Sequence, residues 1–231
     1  MKPVKVACVG LFVLLAAACA TATGPEVTYD GLELVPDAQF GGQVYRLPGA
    51  DLGVYDAIGL VDCDVAFRKN WLRDQNRHSI DLGSRVTQED VDRIRDTLRE
   101  ECGKTFRGAL LEAPAYTLVE EFSAGEQVLI LRPRIINLDV TAPDVRSAGM
   151  SRTYTTSAGQ MTLYLEALDG TTGQVLARAI DRQRARESFR MELSSSVSNR
   201  AEARRILNGW SRRLREALDV LVDSEDRGAG R

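Results

Sequence analysis

Between residues 178 and 190 the sequence places five arginines against two acids, Asp181 and Glu187. Arg178, Arg182, Arg184 and Arg186 are all even-numbered, so in an extended strand they project from one face, with Arg190 just beyond. Guanidinium groups in such a row suit the binding of a phosphate or carboxylate polymer through charge-assisted hydrogen bonds. The same row also reads as the solvated face of an edge strand, where charge blocks edge-to-edge pairing. Other constellations carry less. His78, close to Asp74, Ser79 and Asp81, has no nucleophile elbow before it and falls in an irregular polar stretch, so it reads as a surface histidine rather than a triad member. Asp62 and Asp64 would share a strand face, as an acid/base pair does, but they mark where that face leaves the core. A single histidine excludes His-pair, His-rich zinc and two-histidine haem chemistry. No Gly-rich phosphate loop, Cys-x-x-Cys or calcium loop occurs, and no cofactor or metal is expected.

The four cysteines divide by compartment. Lys2 and Lys5 precede a 13-residue apolar run at 6–18, too short to span a membrane and of the right length for a signal-peptide core. The run ends in Leu15-Ala16-Ala17-Ala18-Cys19, which resembles the lipobox of bacterial lipoproteins, in which the Cys after small residues receives diacylglycerol. The alternative is ordinary secretory cleavage near Ala20-Thr21-Ala22. With acylation, residues 1–18 are removed and Cys19 is the lipidation site, anchoring the chain more firmly than one acyl chain would. By analogy with Gram-negative lipoproteins, Ala20 after the Cys implies sorting to the outer membrane with the domain facing the periplasm. Cys8 leaves with the signal, so Cys63 and Cys102 remain as a pair in an oxidising compartment. A disulfide is expected, with two buried free thiols as the alternative.

Positioning these groups requires a folded domain, and the composition supports one. The 231 residues are 44% hydrophobic with a formal charge of −3, which excludes a stably unfolded chain and disfavours nucleic-acid binding. The mature chain, with 28 basic and 33 acidic residues, has no polybasic patch to add to its anchor. Residues 19–55 read as acylated Cys, tether and docked arm, because Leu32, Leu34, Val35, Phe40, Val44, Tyr45 and Leu47 are poor choices for a solvated linker. Period-2 alternation predicts a strand at 57–67. The polar connection at 68–86 is pinned by Trp71. Thr87 is placed to cap a helix through Asp90, and Val91, Ile94, Leu98, Cys102, Phe106 and Leu110 form its apolar stripe to about Glu112. Strands at 116–121 and 128–140 are expected to form a hairpin. In the second, Val128, Ile130, Ile136, Leu138 and Val140 share one face, interrupted by Arg132 and Arg134, and Leu129, Leu131 and Ile135 share the other. A clearer hairpin joins 160–168 to 174–186. A last helix, capped at Asn199 or Ser198, carries Ile206, Leu207, Trp210, Leu214, Leu218 and Leu221 inward to about Asp223, with Arg204, Arg205, Arg212, Arg213 and Arg215 on a wet face and a disordered tail at 224–231. The expected fold is one α+β domain over 56–223, a mainly antiparallel sheet of about five strands with two long helices on one face.

Several segments carry a wider resemblance: Asp30-Gly31-Leu32, Leu47 to Leu52 with Tyr55-Asp56, Val65 to Trp71, Leu138 to Asp144 and Asn199 to Ala203. Together they resemble the bacterial lipoprotein family of the domain of unknown function thirty-three thirteen, across roughly 30–221. The resemblance implies an outer-membrane lipoprotein with a compact periplasmic domain and assigns no substrate, cofactor or catalytic residue. With no catalytic set assembled, the leading expectation is a non-catalytic binding module. Its partners would be the membrane, through the lipid anchor, and an envelope protein, a cell-wall component or lipopolysaccharide. The rival is a periplasmic hydrolase with a site built from the loops at 68–86 and 142–157.

Overall fold

The computed structural model describes residues 26–77, 85–121, 126–140, 154–155, 159–185, 192–193 and 196–228. Eight strands form one mixed sheet: β1 (Glu33–Leu34), β2 (Gln43–Arg46), β3 (Ile58–Leu60), β4 (Asp64–Phe67), β5 (Leu118–Val119), β6 (Leu129–Asp139), β8 (Gln160–Asp169) and β9 (Val175–Arg184). The order across it is β1-β2-β9-β8-β6-β3-β5, with β4 also alongside β6. A separate short pair joins β7 (Tyr154–Thr155) to β10 (Glu192–Leu193). Three helices, α1 (Trp71–Gln75), α2 (Gln88–Leu111) and α3 (Ser196–Gly228), complete one α+β domain.

Three sequence expectations about the sheet change. The expected strand at 57–67 is one line broken at 61–63, and both halves run parallel to β6. The expected hairpin at 116–140 does not form, because β5 pairs with the far edge of β3 instead of with β6. The supposed arm supplies two strands: Tyr45 pairs with Arg178, and Gly42 lies so close to β9 that a Cβ would sit 2.3 Å from the Ile180 carbonyl oxygen. With φ +68° as well, only glycine lets β2 approach there. The expected sheet of about five mainly antiparallel strands is therefore an eight-stranded mixed one.

Within β6 the faces change phase. Leu129, Leu131 and Ile135 are buried as expected, but so is Leu138, which the alternation placed on the opposite face. Asn137 (φ 53°) takes the left-handed conformation, and the register with β8 shifts between Ile136 and Asp139. A bulge adds one residue and turns the following side chain inward.

The helices follow their stripes. The Thr87 hydroxyl accepts from the Asp90 amide at 3.2 Å and the Asp90 carboxylate accepts from the Thr87 amide at 2.9 Å, a reciprocal cap that starts α2. Val91, Leu98, Cys102, Phe106 and Leu110 of α2 are buried, as are Ile206, Leu207, Trp210, Leu214 and Leu218 of α3. The α2 stripe beyond Val91 and the α3 stripe join the β6 and β8 side chains in one core. Cys63 and Cys102 are joined by a disulfide across 39 residues, tying the break in the first strand line to the buried face of α2. Trp71 is buried and donates its indole N–H to the Val140 carbonyl at 2.8 Å, which fixes the connection after β4.

α3 departs from expectation at both ends. It begins at Ser196, so Asn199 lies inside the first turn, and it continues past Asp223 to Gly228, because no helix breaker lies between Asp223 and that glycine. Arg215 is not on a wet face. It is buried, donating to the carbonyls of Ala109 at 3.2 Å, Glu112 at 2.9 Å and Pro114, and so serves the end of α2.

Candidate functional site on the arginine face of the sheet

The helices cover only the sheet face bearing the odd-numbered residues of β8 and of β6 before its bulge, including Leu131, Ile135, Met161, Leu163 and Leu165. The even-numbered residues face the other way and line up in rows. One row reads Tyr45, Arg178, Glu166, Arg132 and the next Gln43, Ile180, Tyr164, Arg134, Asp64. Further along, Arg182 stands opposite Thr162 and Arg184 opposite Gln160.

The first row is a buried ion network. Glu166 accepts from Arg132 Nη2 at 2.7 Å and from Arg178 Nε and Nη2 at 3.1 and 2.9 Å. Arg178 then donates to both carboxylate oxygens of Asp30, at 3.1 and 2.6 Å, where the turn at 28–32 folds over the sheet. Arg178 also lies between the rings of Tyr29 and Tyr164, 6.0 and 5.3 Å from their centroids. Hydrogen bonding to Arg178 is the main reason the Asp30 carboxyl is lowered to about 2. Burial pushes Glu166 up, but its bonds to Arg132 and Arg178 more than offset this and leave it below its ordinary value. The Arg178 guanidinium is raised chiefly by its bond to Asp30.

The expected stripe is thus divided. Arg178 is 4% exposed and saturated by carboxylates, so it is a structural cation rather than a surface ligand for an outside anion. Arg182 and Arg184 are exposed; Arg182 donates to Gln160 at 2.5 Å, and neither forms an ion pair among the described residues. Arg186 lies outside the described residues. β6 contributes as well: Arg132 and Arg134, which interrupt its apolar alternation, are half-exposed cations of this same face. Arg134 Nε stands 3.7 Å from Asp64 and makes no hydrogen bond, while its guanidinium lies over Tyr164. Counting the register back from the 170–173 turn would set Glu166 opposite Ala177; the pairing with Arg178 depends on the register shift between Ala167 and Leu168.

The remaining candidates do not assemble. Asp62 and Asp64 are exposed, and Asp74 is held by Arg68 at 2.6 Å, which keeps its carboxyl below the ordinary value. Cys19, His78, Ser79 and Asp81 lie outside the described residues, as do 78–84 of the first loop of the rival hydrolase site and most of its second loop, 142–157. Among the described residues no group of three or more His, Cys, Asp or Glu could hold a metal ion, and no helix is long and apolar enough to cross a membrane. The exposed side chains of this face are chiefly cations, a chemistry that suits holding an anion.

Among solved structures the chain is similar to PelC from Paraburkholderia phytofirmans, crystallised as a dodecamer. One crystal form is 10% identical, covering 74% of this chain and 98% of PelC with a TM-score of 0.33. A point variant of PelC gives 10% identity, 73% and 95% coverage and a TM-score of 0.31. Scores of this size lie below the level at which two chains share a fold, so neither the architecture nor the assembly transfers. No curated protein matches the sequence. The family does: its sequence profile matches residues 22–214, and the chain belongs to the family described as "Protein of unknown function (DUF3313)".

Proposed function

We propose that the mature chain is a lipid-anchored module of the outer membrane, facing the periplasm, that binds an anionic component of the cell envelope through the arginine face without catalysing a reaction. The observation that carries this reading is the exposed pair Arg182 and Arg184, without carboxylate partners among the described residues, on the same sheet face as the half-exposed Arg132 and Arg134. Fixed carboxylates orient the inner guanidiniums and leave the outer ones open to an anion. The signal core ending at Cys19 supports the address.

Two measurements test the two halves. Cys19→Ser should release the protein into the periplasmic fraction or leave an unprocessed precursor; a variant that still matures and stays in the outer membrane removes the anchor. Arg182→Glu with Arg184→Glu should weaken retention on isolated cell wall or lipopolysaccharide by roughly tenfold or more, and wild-type retention should fall steeply with salt, as screened surface charges do. Retention by the folded double variant that is unchanged and insensitive to salt sinks the binding role.

A further inference from the structure

We infer that the arginine face docks on the membrane that holds the chain, with phosphate-bearing lipid headgroups as the anions it meets. This rests on the lipid-anchor reading and deepens it from an attachment to an orientation. Only six residues, 20–25, separate Cys19 from Glu26, where the described chain begins. Seven backbone steps of about 3.6 Å let Glu26 stand no more than roughly 25 Å from the acylated cysteine. Four residues further, Asp30 is fastened to Arg178 on the arginine face by two hydrogen bonds. The tether therefore enters the domain at this face, and the helical face lies behind the sheet.

The chemistry at the point of entry fits a lipid surface. Tyr29 is 95% exposed and Val27 56%, although both are large apolar side chains. Tyrosine favours the membrane interface, where its ring sits among headgroups with the hydroxyl in water. On the same face, Arg182 and Arg184 have no carboxylate partner among the described residues, whereas Asp30, Glu166 and Asp64 are each engaged by Arg178, Arg132 or Arg134. A chain with net negative charge would otherwise be repelled by an anionic leaflet. The uncompensated cations of the tethered face, Arg182 and Arg184, make its approach to such a leaflet attractive over a range of about 10 Å at ordinary salt.

The test uses the mature chain, in which Cys19 is the one free thiol once Cys63 and Cys102 are bridged. Coupling Cys19 to a maleimide lipid sets the tether without relying on natural acylation. Hydroxyl-radical oxidation of Tyr29 is then compared between phosphatidylcholine vesicles and vesicles containing phosphatidylglycerol, with the exposed Leu111 of α2 and Val220 of α3 as references. Docking predicts that phosphatidylglycerol lowers Tyr29 oxidation roughly threefold or more, that the references do not change, and that high salt or Arg182→Glu with Arg184→Glu restores it. Equal oxidation of Tyr29 in both vesicles, or equal protection in the double variant, overturns the docking. Binding to isolated cell wall without Tyr29 protection on vesicles would also overturn it, in favour of a polymer partner. If the double variant misfolds, the contrast between the two lipids still decides. The mass of the native mature protein reports separately on acylation, so a failed anchor is distinguished from a failed dock.

Discussion

Burying Arg178 beside Glu166 carries a desolvation cost that only complete pairing offsets, so the network is costly to break at one member. Arg178→Met leaves Glu166 with Arg132 alone and should destabilise the fold by about 3 kcal/mol, against about 0.5 kcal/mol or less for the exposed Arg182→Met; urea unfolding of the two variants measures the difference. Asp30 adds a pH dependence with a defined sign. Its carboxyl falls from 3.8 to about 2 on folding, so its contribution is complete above pH 3.8 and is lost as pH falls through about 2. Asp30→Asn should therefore cost about 1–2 kcal/mol at neutral pH, discounted for partial exposure, and progressively less below pH 3.8. A penalty that stays constant down to pH 2 would show that the carboxylate charge plays no part.

At the scale of elements, β6 is governed by one residue. Asn137 places the bulge that turns Leu138 into the core and leaves Arg132 and Arg134 on the other face. Asparagine tolerates the left-handed region and a β-branched residue does not. Asn137→Val should cost about 1–2 kcal/mol while Asn137→Gly stays near wild type, measured by denaturant midpoints; equal effects would mean that the bulge is not set by this φ. The end of α2 depends on another element in the same way. The carbonyls of Ala109 and Glu112 at its end accept from Arg215, which rises from α3, while Leu110 accepts from the local Tyr116 amide.

At the scale of the molecule, both long helices lie on one side of the sheet. Arg204 reaches across to Glu101 with bonds of 2.7 and 2.6 Å, and the Cys63–Cys102 bridge ties α2 to the strands. Closing a 39-residue loop constrains the unfolded chain, and replacing both cysteines by serine should lower stability by about 3–4 kcal/mol. Thiol labelling of the denatured, unreduced mature protein should find neither Cys63 nor Cys102; full labelling of both would refute the bridge. Among the described residues no helix covers the opposite sheet face, where the polar rows lie with Arg132, Arg134, Arg182 and Arg184 reaching solvent.

Sequence alone determined what repeats at short range. The Thr87–Asp90 cap, the α2 and α3 stripes, the 160–184 hairpin and the inward direction of Cys63 and Cys102 follow from local periodicity, which the backbone obeys wherever no distant partner intervenes. Tertiary structure decided what depends on pairing between distant segments. No local rule directs β5 to the far edge of β3 rather than to β6, or the 33–46 segment into the sheet, because strand partners are chosen by the packing of the whole sheet. The arginines show the same division. Parity placed Arg178, Arg182 and Arg184 on one face, but only the arrival of Asp30, 148 residues away in sequence, separated a buried structural cation from two exposed ones. A charge's role is fixed by its neighbours in space, and for Arg178 those come from two distant segments of the chain, the turn at 28–32 and β8.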